Sequence, residues 1–372
     1  MTTQTTPQGG DPAVRPGIEG FLQVKDLRVH FPTDDGVVKS VDGLSFNLER
    51  GETLGIVGES GSGKSVTSLS IMGLHPPGTA TISGQVVLNG DNLIGASREH
   101  IRRLRGKDMA MIFQDPLSAM HPYYTVGHQI IEAYRVHNNV SKQVARKHAI
   151  DMLDRVGIPQ PGSRVDEYPH QFSGGMRQRA MIAMALSCDP ELLIADEPTT
   201  ALDVTVQAQI MELLKAIQQR TGAALLLITH DLGVIAEMVE QVIVMYAGQI
   251  VEQGTVHQVL LEPRMPYTMG LIESIPTVEK RGGKLSAIKG VVPSPFNLPP
   301  NCRFEPRCPY TWALCRSVPP ELYPAGEIGQ VARCHLHLAG EAARRDAAIR
   351  QHDENLRLGR RLTGAPDRLG DA

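Results

Sequence analysis

The most informative absence in this sequence is a long apolar run. No uninterrupted apolar stretch in the 372 residues reaches the roughly 18 that a bilayer-spanning helix needs, which excludes a transmembrane segment. The first twenty residues have neither a charged start nor an apolar stretch, so they are not a signal peptide, and their composition predicts a disordered leader over residues 1–20. The chain is expected to consist of globular domains, roughly two or three by its length.

An excess of positive charge is also missing. With 37 Lys and Arg against 40 Asp and Glu, the formal net charge is −3, so there is no basic field to hold nucleic acid phosphates and we expect no nucleic acid partner. Cysteine is scarce as well, since five residues in a sequence of cytosolic type argue against a disulfide scaffold. Four of the five lie between positions 302 and 334, which calls for a separate explanation.

The strongest positive feature is a glycine-rich stretch between an apolar strand, predicted over Thr53–Val57, and a helix predicted from Ser65 to Met72. In this context successive backbone N–H groups curl around a polyphosphate, with the positive end of the helix dipole behind them. Lys64 would reach the outer phosphates and Ser65 would hold Mg²⁺. The residues assigned to this phosphate loop are Gly58, Glu59, Ser60, Gly61, Ser62, Gly63, Lys64, Ser65 and Val66.

Strand and helix patterns alternate along most of the remaining chain. An antiparallel β-layer is predicted over residues 21–48, and a helical insert over about residues 120–172, with a helix from Lys142 to Val156 capped by Ser141. Apolar strands at 192–195, 223–229 and 241–245 are separated by helices at 204–220 and 232–239. This alternation predicts an α/β fold with a mostly parallel sheet and helices on both faces.

Four predicted strands end in polar groups. Asp196 and Glu197 follow one apolar strand, Gln114 ends a second and His230 a third, while the phosphate loop follows a fourth. Open α/β sheets bind their ligands at this edge. Asp196 would bind Mg²⁺, and Glu197 would polarise an attacking water. The arrangement predicts phosphoryl transfer to water, which relies on positioning and charge stabilisation.

Together with these residues, two further motifs resemble the nucleotide-binding subunit of an ABC transporter. One is the signature-like stretch Ser173, Gly174, Gly175, Met176, Arg177 and Gln178, and the other is Ala201-Leu202-Asp203. The resemblance implies an ATPase whose catalytic residues are Glu197, His230, Gln114 and Lys64, with Mg²⁺ held by Ser65, Gln114 and Asp196. It further implies that Ser173 and Gly175 complete the ATP site of a facing subunit and that Asp203 couples the two sites. Phe31 takes the position that stacks on adenine, where the family more often has Tyr; as a residue of a strand it could equally pack in the core.

The stretches Met245–Gly254, Pro266–Thr268 and Ser274–Pro276 are similar to the oligopeptide/dipeptide (and nickel) importer branch. This implies a peripheral protein at the cytoplasmic face of the inner membrane. Its partners would be two membrane permeases, a second ABC ATPase subunit (a copy or a relative) and an extracytoplasmic solute-binding protein. Peptides are the implied cargo, and nickel or another small solute is the alternative. Three other kinds of ABC protein have features that this sequence lacks. A soluble repair ATPase would need a coiled-coil or DNA-binding insertion, a translation ATPase would carry two cassettes in one chain, and an exporter would usually carry fused membrane helices.

The four clustered cysteines are Cys302, Cys308, Cys315 and Cys334. Four thiols in a loop-rich region indicate a metal or cluster site, and no Cys-x-x-Cys pair of the kind typical for zinc is present. The resemblance to peptide importers implies a structural [4Fe-4S] cluster, with zinc or free thiols as alternatives. His335 and His337 could substitute as ligands, but they are expected to be exposed. The predicted layout is an ATPase domain at 21–262, a Pro-rich linker at 263–300, a small Cys-rich module at 301–338 and a charged, solvated helix or tail at 339–372.

Overall fold

The computed structural model describes residues 20–200, 202–274 and 288–361. Its strands are β1 Leu22–Thr33, β2 Gly36–Leu48, β3 Thr53–Val57, β4 Thr81–Leu88, β5 Asp91–Asn92, β6 Met109–Ile112, β7 Leu192–Asp196, β8 Ala224–Ile228, β9 Gln241–Tyr246, β10 Gln249–Thr255, β11 Tyr323–Pro324 and β12 Val331–Ala332. Its helices are α1 Lys64–Ile71, α2 Arg98–Leu104, α3 Pro116–Ala119, α4 Val126–Arg135, α5 Lys142–Arg155, α6 Pro161–Arg164, α7 Gly174–Ala185, α8 Val204–Thr221, α9 Leu232–Met238, α10 Val256–Leu261, α11 Pro266–Glu273, α12 Ala313–Ser317 and α13 Ala342–Arg361. The expected leader at residues 1–19, residues 275–287 of the expected linker and the last eleven residues of the expected tail lie outside the described residues.

The main sheet has eight strands in the order β11-β12-β10-β9-β3-β8-β7-β6. Five of them, from β9 to β6, are parallel, and β3 lies between β8 and β9. Strands β3, β7 and β8 are buried at every position, which is typical of parallel strands covered on both faces. Their apolar runs were therefore recognisable in the sequence, and the predicted parallel sheet is confirmed. This order brings the carboxyl ends of β3, β6, β7 and β8 to one edge.

A second sheet, of order β2-β1-β4-β5, is antiparallel and confirms the β-layer predicted ahead of the phosphate loop. Leu22 pairs with Leu48, and Val24 with Phe46. These side chains are fully buried in one apolar cluster with Ile56 of the main sheet. The two sheets thus share a core, and α1 packs between them against β1, β2 and β7.

Helices α3 to α7 lie between β6 and β7, and the predicted helical insert falls within them. α5 begins at Lys142, as predicted, because the Ser141 side chain accepts a hydrogen bond from the backbone N–H of Val144. Its buried Met152 and Leu153 belong to the apolar cluster that includes Ile112 of β6. Packing on the sheet therefore holds the insert beside the end of β6.

The C-terminal region differs from the separate module that the sequence predicts. β12 pairs with β10 and β11 pairs with β12, so this region extends the main sheet. The expected linker contains α11, in which Tyr267 is fully buried. The expected solvated tail contains α13, which packs against α11 and places His352 Nδ1 2.7 Å from Glu273 Oε1. Since His352 is 3% exposed, this helix is docked along one face.

Candidate nucleotide site

The loop between β3 and α1 requires glycine where other backbone comes close. Gly58 has φ +152°, and a Cβ there would lie 2.2 Å from the Met245 carbonyl oxygen. Gly63, at the N-terminal cap of α1, has φ +104°, and a Cβ there would lie 2.4 Å from the Ser40 carbonyl oxygen. Any larger residue would displace β9 or β2, so these glycines keep the loop tight against the start of α1.

Lys64 is buried at the first position of α1. Its ammonium donates hydrogen bonds to the carbonyl oxygens of Gly58, at 2.8 Å, and Glu59, at 3.1 Å. Burial lowers the pKa of Lys64, and the nearby carboxylates of Glu197, Asp196 and Glu59 oppose that shift. The loop therefore holds a desolvated cation where phosphates would lie.

Asp196 ends β7 directly beside α1. Its carboxylate accepts hydrogen bonds from the hydroxyls of Ser65, at 3.1 Å, and Ser68, at 3.2 Å. Burial raises the pKa of Asp196, and the two serine hydroxyls oppose that shift. A carboxylate and a hydroxyl in contact are oxygen donors of the kind that Mg²⁺ prefers.

Glu197 follows Asp196 with a left-handed backbone, at φ +47°. Its Oε2 accepts hydrogen bonds from Gln114 Nε2, at 2.8 Å, and from the Thr200 hydroxyl, at 2.9 Å. Its Oε1 lies 3.4 Å from His230 Nδ1. Three strand ends therefore meet at one carboxylate, and a non-glycine residue in this strained conformation is often found at functional sites.

Lys64, Ser65 and Glu197 are among the residues that line an open cavity of about 650 Å³, a size that suits a nucleotide. Of the predicted site, the lining includes Ser60, Gly61, Gly63, Lys64, Ser65, Val66, Gln114, Glu197 and His230. Asp196 is reached through Ser65. Phe31 is not among the described lining residues: it is half-buried and meets the edge of His75, with ring centroids 5.6 Å apart.

The signature-like stretch forms the start of α7 and lies apart from this cavity. Ser173 caps α7 by accepting from the backbone N–H of Met176, and Ser173 and Gly174 are exposed. Gln178 is buried and donates to the carbonyl oxygen of Pro198, just after Glu197, at 2.6 Å. Asp203 caps α8 and is also exposed. Among the described residues that line the cavity, none belongs to 173–178 or is Asp203.

The four clustered cysteines line one small cavity in the C-terminal region, together with Trp312 and Phe304. None of the four is in a disulfide. Burial raises the pKa of Cys302 to about 11 and that of Cys308 to about 12, and it also raises the pKa of Cys334. The sequence expectation for the neighbouring histidines is wrong: His335 is buried with Nε2 2.9 Å from the Val318 carbonyl oxygen, and half-buried His337 contacts that of Arg264.

Within the described ranges, no three or more His, Cys, Asp or Glu side chains are grouped so that they could hold a metal ion. Four thiols around one cavity nevertheless match the donor set of an iron–sulfur cluster, which is ligated at separate iron corners. The cavity itself, about 10 Å³, has room for about one water. Also within those ranges, no helix has the length and apolar character needed to cross a membrane.

Comparisons with known proteins agree with this geometry. Residues 41–200 match the family model described as ABC transporter, and residues 251–315 match that of the oligopeptide/dipeptide transporter C-terminal region. The post-hydrolysis dimer of the ATP-binding cassette MJ0796 bound to ADP and Pi has a TM-score of 0.58 and 25% sequence identity, over 63% of this chain and 98% of that one. The fold is therefore that of an ABC ATPase cassette.

The dipeptide transport ATP-binding protein DppD of Bacillus subtilis is 52% identical over 77% of this chain and 86% of its own length. DppD of Escherichia coli is 49% identical over 86% of this chain and 97% of its own length. The oligopeptide transport ATP-binding protein AppD of B. subtilis is 48% identical over 85% of this chain and 97% of its own length. The chain belongs to the ABC transporter ATP-binding proteins of this dipeptide and oligopeptide group.

Several residues at the site were missed in the sequence. Ser68 lies one turn after Ser65, so helical spacing alone could have placed it on the same face. Thr200, which contacts Glu197, and Pro295, which lines the cavity, have no spacing or motif in the sequence that indicates a place at the site. The same holds for Tyr267 and Arg307, which contact Glu59 from more than 200 positions away. These contacts depend on how the C-terminal region folds back onto the loop.

Proposed function

We propose that this chain is the ATP-hydrolysing subunit that drives uptake of dipeptides or oligopeptides through an ABC importer. The observation that carries the proposal is the meeting of Lys64, Asp196 and Glu197 at one edge of the parallel sheet. Relatives at about 50% identity are named as dipeptide and oligopeptide transport ATP-binding proteins, which supports the peptide cargo. In this proposal the chain is a peripheral subunit at the cytoplasmic face of the membrane, and the naming of its relatives as transport ATP-binding proteins supports that location.

In this proposal the loop N–H groups and Lys64 bind the phosphates of ATP. Ser65 and Asp196 would hold Mg²⁺, and the side-chain carbonyl oxygen of Gln114, whose amide nitrogen donates to Glu197, would add a further ligand. The ion would offset the negative charge that develops on the phosphate oxygens. The oxygen-rich donor set that these residues form suits the ion.

Glu197 orients the attacking water and accepts a proton from it. His230 and Gln114 hold the Glu197 carboxylate in place. Both contacts use the strand ends described above, so the base is fixed before ATP binds. Thr200 adds a third contact at 2.9 Å. Phe31 packs against His75 and the apolar cluster of the antiparallel sheet and is not among the described cavity-lining residues, so its adenine-stacking role requires the base to extend beyond the cavity toward β1.

The Ser173 to Gln178 stretch acts on the ATP of a facing subunit, and Asp203 couples the two sites. The exposure of Ser173, Gly174 and Asp203, the absence of the stretch from the described lining of the chain's own cavity and the dimeric form of the cassette MJ0796 support this. The partner cassette is a copy or a relative, working with two permeases and an extracytoplasmic binding protein. Exposed Leu117, Tyr123 and Tyr124 near Gln114 offer an apolar surface for permease contact.

We propose residues 21–262 as the ATPase domain and the C-terminal region from 301 as the holder of a structural [4Fe-4S] cluster ligated by Cys302, Cys308, Cys315 and Cys334. The four thiols line one cavity with apolar walls, which supports a cluster, and loading it requires these side chains to move apart. Such a cluster would link the segment before α12, α12 itself and the residue before the 3₁₀ turn at 335–337. It would supply cohesion and no step in ATP hydrolysis.

The decisive test is Glu197→Gln in a reconstituted transporter. The amide keeps the side-chain shape but cannot accept the water proton, so ATP binding persists while hydrolysis and uptake of a labelled dipeptide nearly cease. Turnover near that of the parent would remove Glu197 from this role. Parent transporter that hydrolyses ATP and moves nickel but no peptide would refute the proposed cargo.

A further inference from the structure

The phosphate loop is held by a cation from outside the cassette core. Arg307, one residue before Cys308, forms a bidentate ion pair with Glu59: Nη1 lies 2.6 Å from Oε2 and Nη2 lies 3.0 Å from Oε1. The Arg307 side chain is 4% exposed and that of Glu59 28%. Paired forks of this kind combine charge with fixed geometry, so the pair restrains Glu59 in both position and direction.

Contacts other than the one with Glu59 also hold the Arg307 side chain in position. Its Nε donates to the carbonyl oxygen of Lys289 at 3.1 Å, and its Nη2 to that of Ile288 at 3.3 Å. The guanidinium carbon lies 5.7 Å from the ring centroid of Tyr246 and 5.9 Å from that of Phe304. An Arg held by two carbonyls and two aromatic faces loses little freedom when it pairs.

A hydrogen bond to Tyr267 also holds the backbone of Glu59 in position. The Glu59 N–H donates to the hydroxyl of Tyr267 at 2.9 Å, and Tyr267 is fully buried in α11. The C-terminal half of the chain therefore holds Glu59 at the main chain through Tyr267 and at the side chain through Arg307.

The charge of Glu59 explains why its position affects the binding of phosphates. Glu59 precedes Ser60 and Gly61, which line the nucleotide cavity, whereas Glu59 is not among the described lining residues. A free carboxylate at this point of the loop would repel the phosphates of ATP. The Arg307 pair both neutralises that charge and keeps the carboxylate turned toward the C-terminal region.

We propose that Arg307 is a positioning residue of the ATP site, which makes ATP affinity depend on the docking of the C-terminal region. This inference rests on the proposed function, because it takes ATP as the ligand. Arg307 is not among the described residues that line the nucleotide cavity, so it acts through Glu59.

The test is a double-mutant cycle of ATP binding to the full-length protein, measured by direct titration. Arg307→Met keeps the length of the side chain but leaves Glu59 charged, so we expect ATP affinity to fall about tenfold, and more at low salt. In Arg307→Met combined with Glu59→Gln, the local charge is again neutral, as in the parent pair. The second substitution is therefore expected to restore affinity to within about threefold of the parent.

Two further variants test whether the charge of Arg307, and not a general loosening of the C-terminal region, sets the ATP affinity. Arg344 also lies in the C-terminal region, where it pairs at 2.9 Å with Glu341, just before α13, so Arg344→Met loosens an ion pair of that region and leaves ATP affinity unchanged. Arg307→Lys keeps the positive charge without the fork, so most of the affinity is retained. Circular dichroism of each variant checks that the fold is intact.

Parent-like ATP affinity in Arg307→Met would overturn the inference. It would also be overturned by a double variant as weak as Arg307→Met alone, because lost packing would then explain the defect. If the parent itself binds no ATP, the proposed function fails and this inference fails with it. ATP binding by the parent without any effect of Arg307→Met overturns this inference alone.

Discussion

Glu252 provides a quantitative test of how the C-terminal region is joined to the sheet. It lies in β10 with no exposed surface, and its two oxygens accept the backbone N–H groups of Arg264, at 2.7 Å, and Met265, at 3.0 Å. Gln330 Nε2 also donates to it, at 3.0 Å. One carboxyl group thus connects the sheet, the segment before α11 and the strand β12.

Burial dominates these hydrogen bonds and raises the pKa of Glu252 from 4.5 to about 7. The unfolded chain releases this proton near pH 4.5, while the folded chain keeps it until about pH 7. The stabilising contribution is therefore fully present below pH 4.5 and is lost as the pH rises to 7. By linkage the loss between pH 5 and pH 8 is about 2.5 kcal/mol.

Glu252→Gln removes this titration, so the stability of the variant relative to the parent should rise by about 2.5 kcal/mol from pH 5 to pH 8. Any constant cost of placing an amide against the two N–H groups shifts both values equally. Urea unfolding followed by far-UV circular dichroism measures the difference at each pH. The matched control is Glu240→Gln, at an exposed position, which should keep the pH dependence of the parent. Parallel pH profiles for the parent and Glu252→Gln would refute the reasoning.

Three further outcomes are expected. Lys64→Ala removes the buried cation from the phosphate loop and weakens ATP binding by at least about tenfold in a direct titration, so an unchanged affinity would exclude its phosphate role. Gly58→Ala drives a Cβ into the Met245 carbonyl and abolishes ATP binding, whereas Gly61→Ala meets the backbone strain of φ +77° but open space around its Cβ and weakens ATP binding less; equal effects would contradict the steric argument. Anaerobically purified protein is expected to be brown with roughly four irons per chain, and Cys315→Ser to bleach it while ATP binding persists; colourless protein with one zinc would replace the cluster.

Much of the ATPase core was predictable because its determinants are local or periodic. β3 was predicted at the residues where it occurs, since a short apolar run followed by glycines and a helix start has few other interpretations. The caps of α5 and α8 lie at the Ser and Asp residues that begin those helices. The proximity of Gln114, Glu197 and His230 was also predictable, because parallel strands end at a common edge.

The C-terminal region was decided only by tertiary structure. β11 and β12 are two residues each, too short for a periodic pattern, and their pairing exists because β10 presents a free edge. α11 begins with Pro266, a normal first helical residue, but the repeated prolines around it indicated a linker. α13 looked solvated because its apolar residues are few. Among its described side chains, Ala348 is buried in the core cluster and the buried His352 contacts Glu273, and these contacts dock the helix.

The sequence by itself therefore determined the phosphate loop, the alternation of strands and helices in the core and the two carboxylates at the end of one strand, because each follows from short-range pattern and strand direction. It did not determine that Glu59 is held by Arg307, 248 positions later, or by the buried Tyr267. An ion pair between distant residues leaves no periodic trace in a sequence. It forms only when the extended sheet and the aromatic cluster of Tyr246, Tyr267 and Phe304 bring the two chain segments together.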